Sequence, residues 1–148
     1  MRVDVPFRSV RPDAPEVPRP IRAGDAAADL RAAESFTLEP GERALVPTGW
    51  SVAVPHGMAG LVMARSGLAI KHGIALVNSP GLVDSGYRGE LRVILINHGQ
   101  ERFAAAAGER IAQFMVISLP TVAFTVVEEL PEAIDLRGTA GFGSSGRA

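Results

Sequence analysis

The chain has 148 residues, 47% apolar and 21% charged, with a net charge of −1; these values suit one ordinary domain and exclude both a disordered polymer and a basic nucleic-acid-binding surface. With no cysteine and three histidines, it has no disulfide, thiolate nucleophile or cysteine-ligated zinc, and a histidine metal site has little to draw on. No apolar run approaches the roughly 20 residues of a membrane helix, and the opening MRVDVPFRSVRPD lacks the apolar stretch of a secretory signal, so a cytoplasmic protein without a membrane partner is expected.

Sixteen glycines and eleven prolines make about 18% of the chain, against roughly 12% in average usage, and cut it into short segments. Runs of β type recur at intervals of about 8–12 residues, which predicts an all-β sandwich or barrel. In chain order they are residues 3–8, 29–31, 35–38, 42–47, 50–54, 58–64, 74–77, 91–97, 103–105, 110–118 and 123–127. Between the first two lie Pro12, Pro15, Pro18 and Pro20, an extended surface loop. One short helix is expected after the sixth run, with Ser66 as its N-cap and Gly73 closing it in the left-handed conformation. Residues 138–148 hold four glycines and little that packs, and read as a flexible tail. The organisation is therefore a β domain over residues 1–136 and a tail over 137–148. Fourteen arginines stand beside a single lysine, Lys71; phosphate chemistry would use them, and codon bias would also produce them.

Polar residues gather in five glycine-flanked places that strands do not need: Ala23-Gly24-Asp25-Ala26-Ala27-Ala28-Asp29-Leu30, then Ala64-Arg65-Ser66-Gly67-Leu68-Ala69-Ile70-Lys71-His72-Gly73, then Asn78-Ser79-Pro80-Gly81-Leu82-Val83-Asp84-Ser85-Gly86-Tyr87-Arg88-Gly89-Glu90. The fourth is Gly108-Glu109-Arg110-Ile111-Ala112-Gln113 and the fifth Arg137-Gly138-Thr139-Ala140-Gly141-Phe142-Gly143-Ser144-Ser145-Gly146. In this order and spacing, from about residue 22 to 146, they closely resemble the five motifs of the trimeric dUTP diphosphatase (dUTPase) family.

The residues and the resemblance give two readings at each place. Arg65, Ser66 and Gly67 open the helix, where outward N–H groups and a guanidinium suit a phosphate, or where an ordinary cap stands beside a solvent arginine; the resemblance implies contact with the α- and β-phosphates. Asp84, a turn carboxylate by itself, is by resemblance the base that orients and deprotonates the attacking water. Tyr87 is either hairpin packing or, by resemblance, the flat wall of a sugar pocket closed to a 2′-hydroxyl. Asn78 forms a turn before Ser79-Pro80 or offers a donor and an acceptor to uracil. Gln113 is a strand amide needing a partner, or a phosphate ligand. Asp29 is a strand-edge acid, or by resemblance part of the surroundings of the metal and triphosphate, holding water rather than the ion. Arg88 and Glu90 read as a surface charge pair or as hairpin scaffold, outside the catalytic set.

In the tail, Phe142 would stack on a base with a contribution on the order of 1–3 kcal/mol, while Arg137 and the hydroxyls of Ser144 and Ser145 grip the terminal phosphate and Gly143, like the other tail glycines, lets the backbone follow the substrate closely. Three positions depart from the family pattern: Ala64 replaces a proline, Ala140 a glycine, and Ala27-Ala28 a glycine followed by a larger residue. None removes a functional side chain. The resemblance thus implies a distorted jelly roll assembling as a homotrimer with three shared sites. Its activity is Mg²⁺-assisted hydrolysis of dUTP to dUMP and pyrophosphate by water attack on the α-phosphate, which limits uracil in DNA and supplies dUMP for thymidylate synthesis. The ion is held by substrate phosphates and water. Two alternatives are a dCTP deaminase-like enzyme of the same fold, against which the Gly-Phe-Gly-Ser tail argues, and a non-catalytic dUTP-binding regulatory protein, against which Asp84 argues.

Overall fold

The structure, a computed structural model, describes residues 2–134 and Thr139. Its elements in chain order are β1 Phe7–Ser9, β2 Ala28–Arg31, β3 Phe36–Leu38, β4 Arg43–Val52, β5 Met58–Met63, α1 Ser66–His72, β6 Ile74–Leu76, β7 Gly81–Val83, β8 Glu90–Asn97, β9 Phe103–Ala105 and β10 Arg110–Ser118. The strands make two antiparallel four-stranded sheets, β1-β4-β8-β6 and β2-β10-β5-β7, with β3 and β9 forming a separate pair. This is the all-β jelly roll that the segment pattern and the motifs imply.

Period-2 alternation builds the core between the sheets. Along β8, Leu91, Val93 and Leu95 are buried while Arg92 and Ile94 turn outward; along β2, Ala28 and Leu30 are buried while Asp29 and Arg31 turn outward. Burying each such Leu or Val contributes about 1.5–3 kcal/mol. At one end the rings of Phe7 and Phe114 meet edge to face at 5.9 Å and join the two sheets. Among the described residues no helix is long and apolar enough to cross a membrane.

Four expectations need correction. Runs 42–47 and 50–54 are one strand, β4, because the chain passes Pro47 through a register shift and Gly49, at φ 79°, supplies the left-handed residue that keeps the strand going. Residues 123–127 form no strand. Phe124 and Val126 stand fully exposed, and among the described residues no strand pairs with them. Strand β7, within the third motif, is too short to show a period. Finally, Arg65 rather than Ser66 caps α1, through extended backbone (φ −89°, ψ 124°) and without a side-chain bond, whereas Gly73 closes the helix at φ 69° as expected.

Asn97, fully buried at the end of β8, holds the β3–β9 pair to the body. Its Nδ2 donates to the carbonyls of Leu38 (3.0 Å) and Glu101 (2.8 Å), and its Oδ1 accepts from Gly99 N (2.8 Å). Asn97→Ala leaves these groups unpaired in the interior and should cost roughly 2–4 kcal/mol. A urea melt measures this loss, and an unchanged midpoint would show that the pair does not depend on this side chain.

Candidate functional site

Two cavities are lined by five of the sequence-predicted residues: Asp29, Arg65 and Gln113 in one, Asn78 and Tyr87 in the other. The first lies on the outer face of the sheet β2-β10-β5. Because Ala28 and Leu30 face the core, Asp29 faces out, directly beside Gln113 on β10, which in turn lies beside Met63 on β5. Asp29, whose side chain is only 12% exposed, accepts from Arg65 Nε at 3.0 Å and from Arg110 Nη1 at 3.3 Å. Arg65 also donates to the Arg110 carbonyl at 3.3 Å. Together with Arg22 and Asp25, these side chains surround about 480 Å³.

Arg110 is the residue that the sequence reading left out. Positions 110 and 113 should face opposite sides of a regular strand. A register shift between Arg110 and Ala112, with Ile111 and Ala112 both buried, moves the phase by one and brings Arg110 round to the Gln113 face. The available signal was its place in the fourth motif, three residues before Gln113. Three guanidiniums against two carboxylates leave this cavity net positive, and Asp29 fixes two of them in place. Such a fork of planar donors matches phosphate oxygens. Ser66 and Gly67, exposed at the start of α1, stand next to Arg65 at the cavity rim, and the Ser66 hydroxyl makes no hydrogen bond among the described residues.

The second cavity, about 260 Å³, opens between edge strand β7 of one sheet and β8 of the other, and its wall includes Asn78, Gly81, Leu82, Tyr87, Arg92 and Ile94. The turn from Asp84 to Glu90 that forms one side of it is braced internally. Tyr87 N donates to the Asp84 carbonyl (3.1 Å), and Arg88 Nη1 donates to the carbonyls of Ser85 (2.6 Å) and Tyr87 (2.7 Å). The Tyr87 hydroxyl donates to the Glu90 carbonyl (2.8 Å), while the Glu90 carboxylate accepts from Gly49 N (2.8 Å) and Arg92 Nε (3.1 Å). Arg88 and Glu90 are thus hairpin scaffold. Asp84 is exposed at the turn, and its carboxylate has no bond among the described residues.

Arg65, Asp29 and Gln113 are therefore brought together, as are Asn78 and Tyr87, but the two groups share no cavity. The first group draws on β2, β10 and the segment between β5 and α1, on the outer face of that sheet, whereas Asn78 and Tyr87 flank the edge strand β7. Asp84 lines neither cavity. Arg137, Phe142, Gly143, Ser144 and Ser145 lie outside the described residues. Among the described residues no three His, Asp or Glu side chains converge as metal ligands, and both Asp29 oxygens are already bonded to arginine. With Asp29 occupied in this way, the cavity presents guanidinium donors suited to an anion.

The sequence pattern of the dUTPase family matches residues 13–146. The deoxyuridine 5′-triphosphate nucleotidohydrolase of Leifsonia xyli subsp. xyli is 51% identical over 145 residues, covering 97% of this chain and 91% of the relative. That of Anaeromyxobacter sp. is 49% identical over 149 residues, covering 99% and 100%. Among solved structures, the dUTPase of Staphylococcus bacteriophage 80alpha with dUpNHpp superposes with a TM-score of 0.88 at 28% identity, covering 97% of this chain and 99% of that one. A mutant dUTPase from phage phi11 of S. aureus, described as coordinating a structural Mg(II) ion, superposes at 0.79 with 25% identity, covering 86% of this chain and 98% of that one. Matched along nearly its whole length in motif order, in sequence and in fold, the chain belongs to the dUTPase family.

Proposed function

We propose that this protein carries out the family reaction, hydrolysis of dUTP to dUMP and pyrophosphate, at sites assembled from more than one copy of the chain. The observation that carries the reading is the division of labour just described: an arginine-framed cavity suited to phosphates and, apart from it, a smaller, largely apolar cavity walled by Asn78 and Tyr87 that suits a nucleoside. One nucleotide needs both. A homotrimer supplies the junction if the β7 edge of one copy, with Asn78, Asp84 and Tyr87, meets the Asp29–Arg65–Gln113 face of the next. The exposed apolar side chains of Val122, Phe124 and Val126 also favour burial against a neighbouring copy.

In this arrangement Asn78 pairs with the amide-like edge of uracil, and Tyr87 turns its ring to the sugar. Arg65, Ser66 and Gly67 bind the α- and β-phosphates together with Gln113. Asp84 takes a proton from the water that attacks the α-phosphorus. Mg²⁺ enters as part of the substrate and neutralises phosphate charge. Asp29 locks the two arginines in place, so the phosphates meet donors already oriented. The tail, residues 137–148, closes the site from a third copy, with Phe142 over uracil and Arg137, Gly143, Ser144 and Ser145 on the terminal phosphate. A cytoplasmic location accompanies this reading, since a multiply charged nucleotide does not cross a bilayer.

The purified protein with Mg²⁺ should release pyrophosphate from dUTP and leave dCTP and dTTP largely untouched. Ammonia from dCTP would favour the deaminase alternative, and tight dUTP binding without pyrophosphate would favour a regulatory binder. Equal turnover of all three nucleotides would remove the uracil pocket from the account.

A further inference from the structure

Tyr87, the only tyrosine of the chain, lines the second cavity with its hydroxyl already bonded within its own turn. That hydroxyl is spent on the Glu90 carbonyl at 2.8 Å, and the carbonyl belongs to the first residue of β8, whose own carboxylate is tied to Gly49 N. The hydroxyl end of the ring therefore lies over Gly89, and the side chain forms part of the cavity wall. At Gly89 a Cβ would lie 2.5 Å from Tyr87 Oη, 2.7 Å from Cζ and 3.0 Å from Cε2. Gly89 is not among the glycines with positive φ, so its backbone conformation does not demand glycine. The ring above it does.

We infer that Gly89 and the Glu90 carbonyl set the stance of the Tyr87 ring, and that this stance, more than the mere presence of an aromatic side chain, decides how strongly the site rejects a ribonucleotide. The inference rests on the reading of Tyr87 as the wall against the sugar. Steric rejection of one added hydroxyl works only if the wall stands at a fixed distance from C2′, because a ring free to swing gives way to the larger sugar. Three constraints remove that freedom here: the tether to Glu90, the flat glycine beneath the ring, and the Arg88 guanidinium bonded to the carbonyls of Ser85 and Tyr87. Gly89 is a positioning residue in this sense, touching the discriminating side chain rather than the substrate.

The crowded atoms at Gly89 are the far end of a side chain, so Gly89→Ala should be accommodated by movement of the ring with the fold retained. This differs from Gly73, where a Cβ would strike the backbone of Gly99. Tyrosine-selective isotope labelling gives one set of ring NMR signals for the protein without nucleotide, and Gly89→Ala should shift that set. In parallel, kcat/KM for dUTP and UTP should be compared in the wild type, Gly89→Ala, Tyr87→Ala and the double variant. Tyr87→Ala should raise relative use of UTP on the order of tenfold, Gly89→Ala about threefold or more, and the double variant no further than Tyr87→Ala alone.

If Gly89→Ala leaves the UTP:dUTP ratio at the wild-type value while Tyr87→Ala raises it, the positioning role is overturned and Tyr87 keeps its own. Additive effects in the double variant would also overturn it, since Gly89 would then act by some route other than the ring. If Tyr87→Ala leaves the ratio unmoved in a folded protein, both the wall and its positioning fall together. Should Gly89→Ala not fold, Tyr87→Phe cuts the tether without adding an atom. It must raise the ratio part of the way toward that of Tyr87→Ala, and a wild-type ratio there would overturn the inference equally.

Discussion

Replacing Asp84 by Asn is expected to lower the maximal rate of dUTP hydrolysis by about 10²–10⁴-fold while nucleotide binding stays close to that of the wild type. Asn keeps the shape and one acceptor of the aspartate but cannot take up the proton that water gives away as it bonds to the α-phosphorus. The turn around position 84 would survive the change, because it is held by main-chain and Arg88 bonds and not by the Asp84 carboxylate. Single-turnover rates and equilibrium titration with a non-hydrolysable dUTP analogue separate the two effects. A rate within a few-fold of wild type would move the general base to another group. A collapse of binding with the rate would instead make Asp84 a substrate ligand first.

Removal of residues 137–148 should abolish turnover while leaving assembly and melting temperature nearly unchanged. The deleted segment contains a single large apolar side chain, Phe142, so it has little to contribute to a core. On the proposed reading its loss would withdraw Arg137, Ser144 and Ser145 from the terminal phosphate and Phe142 from the base, and would admit water to a site whose in-line attack depends on fixed geometry. Mixing supplies the sharper experiment. Truncated chains retain Asp84, and full-length Asp84→Asn chains retain the tail, so a site built from both kinds contains every group. Mixed trimers formed by joint refolding should recover part of an activity that neither parent has. Shown to form yet inactive, they would refute donation of the tail between subunits.

The local pattern carried a large share of this protein. The short β-type runs 29–31 and 91–97 marked two of the strands, and within each the alternation of side chains decides which are buried, since a strand reverses its side chain at every step. Five glycine-flanked motifs in order identified the family, and Gly73 marked the helix end because few other residues accept its left-handed conformation. What the linear pattern could not carry depends on pairing and register. The Asp29–Arg65–Arg110 cluster required the bulge before Ala112, which breaks the period that a sequence reading assumes. Residues 123–127 read as a strand and form none, because a strand exists only beside a partner and the described residues provide none there. The separation of Asn78 and Tyr87 from Arg65 and Gln113 came from strand pairing that puts one cavity on the face of β2-β10-β5 and the other between β7 and β8, a long-range arrangement fixed by which apolar faces bury together rather than by any local stretch of sequence.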